Sequence, residues 1–255
     1  MEKEKVFEIL ESEFIDGKRE IEELELLPHL ASDADIFIDV GAELGPFSEK
    51  ANHFLLNKTI FSIEADPLRF ERLSEKASEW RKNSSNEINC LNFAIGHKDK
   101  KTKFFTAHTN TSGSLAPIKG RVEESDYIEI TMKKLDTLFN FRNKNILVKI
   151  DVEGGEFGVI EGAKNIIENN KINFLIEFHS WGDTINKKFP HHLFLLLKRR
   201  GYKFRRIHTN YFFSKDLKRF ESHNFFYHFL KWYAKRYLRN IPGILFLKKL
   251  IYLGK

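Results

Sequence analysis

Five short apolar runs recur along the chain: IFIDV from residue 36, TIFSIEA from 59, EINCLNFAI from 87, NILVKIDV from 145 and INFLIEFH from 172. Residues 46–56, 68–82 and 156–169 lie between several of them and carry the spacing of amphipathic helices. Unbroken apolar runs of this length read as strands covered on both faces, and their alternation with helices predicts an α/β fold. The expected core is a mostly parallel central sheet flanked by helices. Residues 2–30 read as helical, with Ile21, Leu24 and Leu27 at helical spacing and Pro28 near the end. TKFFTA (102–107) and YIEITMK (127–133) break the rhythm as two strands joined by a long polar loop, HTNTSGSLAPIKGRVEESD. A loop of that length inside a compact domain points to function. FPHHLFLLLKRRG then reads as a helix closed by Gly201, with YKFRRI as the next strand.

The pattern changes again from about residue 217. Phe226, Phe229, Leu230, Tyr233 and Tyr237 share one helical face, while Lys231, Lys235 and Arg239 fall on another. Three segments are therefore expected: N-terminal helices over 1–31, the α/β domain over 32–214, and a basic, aromatic helical extension over 215–255. The last apolar run, IPGILFL, is far shorter than the roughly 20 residues that span a bilayer.

Charge sharpens this division. The net charge of +6 conceals 18 lysines and arginines against two acids, Asp216 and Glu221, from Asn186 to the end. The remainder holds 24 basic and 34 acidic residues, so an acidic body carries a basic tail. Such a tail fits a helix lying on an anionic membrane surface, a nucleic-acid contact, or a cap packed on the domain; nucleic acid ranks last. The single cysteine, Cys90, excludes a disulfide within the chain and reads as a buried core thiol. With the charged opening MEKEKVFEILESEF, this leads to the expectation of a cytoplasmic protein, peripheral to a membrane if the tail binds lipid.

Candidate chemistry begins at IFIDVGAELGPFS. A strand, a glycine turn and a helix start present backbone to a ligand. A P-loop is excluded, because Gly45 is followed by Pro46 and Phe47 rather than Lys and Ser or Thr. A dinucleotide fold prefers G-x-G-x-x-G, whereas the pattern here is Gly41-Ala42-Glu43-Leu44-Gly45, with an acid where a phosphate would approach. S-adenosylmethionine carries no phosphate and fits better. Glu64, ending the second strand, can accept from both ribose hydroxyls, and Asn92 to Ile95 can line the adenine. The alternative is that the glycines serve only the turn and Glu64 is a solvated strand end.

The stretch NILVKIDVEGGEFGVIEGA repeats the design, with Asp151, Glu153 and Glu156 crowded at a strand end. Glu156 reads as a helix N-terminal charge, leaving Asp151 and Glu153 as site candidates. Glu177 and His179 end the following strand on one face. His179 is either a proton acceptor or a histidine hydrogen-bonded at a strand end, and both readings stand. A Mg²⁺ site on Asp151, Glu153 and His179 is chemically feasible, but the sequence offers no full ligand set, and no metal is expected.

Together FIDVGAELGPFS, IEADP, NFAIG, ITMKKLDTL, KIDVEGGE and IEFH, in this order over about residues 35–207, resemble the FkbM family of S-adenosylmethionine-dependent methyltransferases. Glu43 stands where that family commonly has asparagine. The resemblance implies a Rossmann-like class I methyltransferase fold and methyl transfer to a hydroxyl of a sugar, glycan or secondary metabolite. It implies that Asp39, Gly41, Ala42 and Gly45 build the methionine end of the cofactor site, Glu64 the ribose contact, and Asn92 with Ala94 the adenine region. Asp151, Glu153 and His179 are the expected catalytic group, and His108, Ser112 and Ser114 in the polar loop the acceptor contacts. An RNA or protein methyltransferase, and a non-catalytic cofactor-binding domain, are the alternatives.

Overall fold

The computed structural model describes residues 19–106, 113–117, 127–178, 190–207 and 209–217. The basic tail from residue 218, and with it His108, Ser112 and His179, lies outside the described residues. The element order is α1 (Arg19–Leu30), β1 (Ile36–Val40), α2 (Pro46–Phe54), β2 (Thr59–Ile63), α3 (Pro67–Lys82), β3 (Glu87–Leu91), β4 (Ala94–Ile95), β5 (Lys100–Phe105) and β6 (Tyr127–Lys133). It continues with α4 (Leu135–Leu138), β7 (Asn145–Ile150), α5 (Glu156–Glu161), α6 (Lys164–Asn169), β8 (Lys171–Glu177), α7 (Pro190–Arg199), β9 (Lys203–Ile207) and β10 (Asn210–Ser214).

A seven-stranded sheet runs in the order β3-β2-β1-β7-β8-β10-β9. The first five are parallel, and β10 lies antiparallel between β8 and β9. The central strand β1 is buried at every position. Its alternate residues enter two cores. Ile36, Ile38 and Val40 pack with the inner faces of α5, α6 and α7, while Phe37 packs with Leu26 and Leu27 of α1 and Phe47 of α2. A second sheet of three strands, β4-β6-β5, stands beside it on a small core of Ala94, Phe104, Ile130 and Met132. The two strands expected around the polar loop are its antiparallel pair, in register from Lys100 with Met132 to Phe105 with Tyr127.

Three differences from the expected pattern have local causes. The helix expected over 156–169 is two helices, broken at Gly162 and Ala163. A Cβ on Gly162 would stand 2.1 Å from the Gly96 carbonyl, and the Asp136 carboxylate accepts from Asn165 N and Ile166 N to start α6 anew. The strand β10 was not anticipated; NYFFS is placed by pairing with β8, some 35 residues earlier. Cys90 is half-buried on β3, 3.9 Å from an Arg81 nitrogen, rather than buried in a core.

Gly201 does close α7, at φ 85, with Tyr202 N donating back to Leu197 O. Two glycines thus separate two mechanisms of destabilisation. Gly162→Ala is expected to cost about 3 kcal/mol, because its Cβ meets backbone that cannot yield. Gly201→Ala has open space around it and should cost only about 1 kcal/mol, the left-handed backbone penalty. Urea denaturation of the two variants gives the ranking.

Candidate active site

The parallel strands β2, β1 and β7 all end at one edge, and the turns that follow them enclose an open cleft of about 600 Å³, counting the space that runs out to solvent. The turns after β1 and β7 lie directly against each other. Gly41 has φ 78, and a Cβ there would lie 1.8 Å from the Asp151 carbonyl. Only glycine lets the end of β1 lie against the end of β7. Gly41 N and Ala42 N both donate to Ile63 O, which ties the turn to β2.

Glu64 is the centre of the cleft wall. It is 6% exposed, and its two oxygens accept from Glu43 N and Asp66 N, each at 2.8 Å. Each oxygen keeps a second acceptor position, which suits a pair of hydroxyl donors. Burial pushes the Glu64 carboxyl up to about 7, although the Asp66 N–H draws it the other way. Phe93, Ala94 and Ile95 form an apolar wall beside it. Opposite stand Gly41, Glu43, Asp151, Val152 and Glu153, with Arg69 reaching in from the first turn of α3 and Phe104 and Leu115 closing the side of the second sheet.

Several residues expected at the cofactor support the cleft from behind instead. Asp39, Ala42, Gly45 and Asn92 are not among its lining residues. Strand alternation turns Asp39 toward α2, where it is 1% exposed and accepts from Ser48 Oγ at 2.7 Å; Ser48 in turn accepts from Ser62 Oγ. Gly45 lets α2 approach α3, since a Cβ would strike Leu73 and Trp80. Asn92 donates to the carbonyls of Glu64 and Ala65 and so fixes the turn that presents Glu64. In the polar loop Ser114 is buried and donates to Glu153 O at 3.2 Å, while its neighbours Gly113 and Leu115 line the cleft. Glu156 folds back on Gly154 N at the head of α5. The structure thus brings Gly41, Glu64, Ala94, Asp151 and Glu153 together around the cleft.

Two functional candidates escaped the sequence reading. Lys149 lies inside the apolar run of β7, 3% exposed, with its Nζ 3.1 Å from Asp151 Oδ2 and 4.5 Å from the Phe47 ring centroid. Burial alone would lower its pKa, but the Asp151 and Asp39 carboxylates outweigh this and raise it, so it stays an ammonium. Its register partner on β1 is Asp39, whose own carboxyl is raised by burial against the pull of Lys149. A lysine in an otherwise apolar strand was the available signal. The second candidate is Arg69, whose guanidinium contacts the Glu43 carboxylate.

Among the described residues no group of three or more His, Cys, Asp or Glu side chains is placed to hold a metal ion. Among them, too, no helix is long and apolar enough to cross a membrane. S-adenosylmethionine fits the residues present. Its adenine matches the Phe93–Ile95 wall, its diol the buried Glu64 acceptors, and its positive sulfonium and ammonium groups a cleft with four carboxylates.

The family model for the methyltransferase FkbM domain matches residues 39–204, roughly two-thirds of the chain, and the chain belongs to that family. It is an S-adenosylmethionine-dependent methyltransferase with a Rossmann-like class I fold, in keeping with the strand order and the antiparallel β10. No curated protein matches the sequence. Among solved structures it is similar to a putative caffeoyl-CoA O-methyltransferase from Staphylococcus aureus (10% identity, 83% of this chain and 88% of that one, TM-score 0.46). It is also similar to a methyltransferase-like protein from Silicibacter pomeroyi (15%, 81% and 89%, 0.46) and to a precorrin-6y C5,15-methyltransferase from Geobacter metallireducens (13%, 74% and 85%, 0.39).

Removing the Lys149 ammonium leaves the buried Asp39 carboxyl uncompensated, which should cost about 3 kcal/mol in Lys149→Met at pH 8. Asp39 would then rise further, so the folded protein would hold a proton that the unfolded chain releases. Stability therefore falls as pH rises, and the deficit should be smaller at pH 5 than at pH 8 in urea denaturation.

Proposed function

We propose that this FkbM-domain methyltransferase methylates a hydroxyl oxygen of a neutral acceptor, a sugar, glycan or secondary metabolite. The observation that carries the reading is the charge of the cleft, where Glu43, Glu64, Asp151 and Glu153 stand with a single lining cation, Arg69, among the described residues. A polyanionic acceptor such as RNA meets like charge there, whereas a hydroxyl meets hydrogen-bond acceptors. Bound S-adenosylmethionine supplies an electrophilic methyl group. Asp151, which accepts from the Lys149 ammonium at 3.1 Å, is a fixed acceptor suited to orienting the hydroxyl. Taking up the proton released as the oxygen gains its methyl falls to Glu153 or, outside the described residues, to His179.

Glu64 gives a test that needs no mutation. Ribose hydroxyls donate to the carboxylate form, and the free group sits at about 7, so binding releases its proton at lower pH. S-adenosylmethionine affinity in calorimetry should rise about tenfold between pH 6 and pH 8. A flat profile removes Glu64 from the ribose. Against a panel of labelled-methyl acceptors, transfer is expected to hydroxyl compounds and not to RNA. Asp151→Asn should lower that transfer about 100-fold.

The tail carries its own part of the proposal, peripheral contact with an anionic membrane, supported by the basic and aromatic residues that its sequence spaces for separate faces of a helix. The full chain should co-sediment with vesicles containing phosphatidylserine at low salt and leave them at about 0.5 M salt. Equal sedimentation with neutral vesicles would remove this part.

A further inference from the structure

We infer that Arg69 is the residue that receives the carboxylate of the methionyl group of S-adenosylmethionine. The inference rests on the cofactor reading above and assigns a role to a residue that the family motifs do not cover.

The position of Arg69 is electrostatically unfavourable in isolation. It lies in the first turn of α3, which contains no acidic residue and where the helix dipole disfavours a cation. Asp66 caps that turn through Leu68 N and Arg69 N, so the backbone there is already satisfied. The side chain turns into the cleft, four-fifths buried, and contacts Glu43. Burial pulls its pKa down, and the Glu153 carboxylate works against that pull. The guanidinium thus stands between the two lips of the cleft, one after β1 and one after β7. Both lip acids are non-glycine residues in left-handed backbone, Glu43 at φ 55 and Glu153 at φ 51. Residues held so against their preference cluster where a ligand is gripped.

The ligand's charges complete the argument. With the ribose on Glu64 and the adenine against Phe93–Ile95, the amino-acid end faces Gly41, Glu43, Arg69 and Asp151–Glu153. That end carries an ammonium and a carboxylate. The lip acids suit the first, and Arg69 is the one described lining cation for the second. A guanidinium pairs with a carboxylate in a two-pronged geometry that few other groups match. The Glu43 carboxylate occupies it in this structure and keeps it extended into the cleft.

The test compares S-adenosylmethionine with its decarboxylated analogue, which keeps the sulfonium and the amine. Calorimetry of wild type should show at least about a tenfold preference for the intact cofactor. In Arg69→Met the preference should shrink to within about twofold, with the analogue's own affinity no weaker than in wild type. Arg69→Lys, which keeps the charge without the fork, should retain part of it and secures the test if the methionine variant unfolds. An equal loss for both ligands, or an undiminished preference in both variants, overturns the assignment. Failure of wild type to bind either ligand at pH 8 overturns the cofactor placement itself, a result distinct from either of these.

Discussion

The contact on which the cleft depends is the abutment of Gly41 against the Asp151 carbonyl. Two parallel strands end side by side there, and the chain leaves each in a left-handed or glycine turn. With a Cβ at residue 41 the turns would have to part, and Glu64, which receives the Glu43 N–H, would lose half of its backbone support. The close approach therefore joins three elements. β1 supplies the turn, β7 supplies the carboxylates, and β2 supplies the acid that the turn holds in place. A cleft built in this way has its acceptors fixed before any ligand arrives, which is the condition for electrostatic preorganisation.

Charge is arranged in two layers around that contact. Behind it, the buried Lys149 ammonium lies against Phe47 and balances the buried Asp39 and the cleft-lining Asp151. In the cleft itself, Arg69 stands among four carboxylates. The first layer ties Asp151 to the buried Lys149. The second is open and keeps a surplus of negative charge, which a cofactor with two positive groups can neutralise. Burial brings Glu64 close to the point of protonation at neutral pH.

Most of the sheet was legible because its strands are unbroken apolar runs, and such runs have few other solutions in a chain of this size. IFIDV, NILVKI and INFLIE, each read as a strand from its run, lie side by side as parallel neighbours. What failed to show were features set by distant partners: β10 by its pairing with β8, and the break before α6 by the Asp136 cap. The site divides on the same line. Residues at the tips of the strands, Glu64 and Asp151, could be placed at the cleft because a strand end has a fixed position. For Asp39, Gly45 and Asn92 the motif gave proximity in sequence without direction, and direction decides between lining a cleft and supporting it. Asp39 lies one residue before Val40, and that single step turns it away from the cleft toward Ser48.

Glu43 and Arg69 show why local rules break at this site. Asparagine would accept the left-handed backbone at residue 43 more readily than glutamate does. An acid would suit the first turn of α3 better than an arginine. Each residue alone is a poor local choice, yet each satisfies the other across the cleft. Changing only Glu43 would leave Arg69 against the helix dipole near Glu153, and changing only Arg69 would add an unneutralised acid to an already acidic lip. The pair is consistent only as a pair, and local inconsistency of this kind is expected where function outweighs stability. In this chain it falls at the lip of the cleft, where the glycine motif by itself is silent.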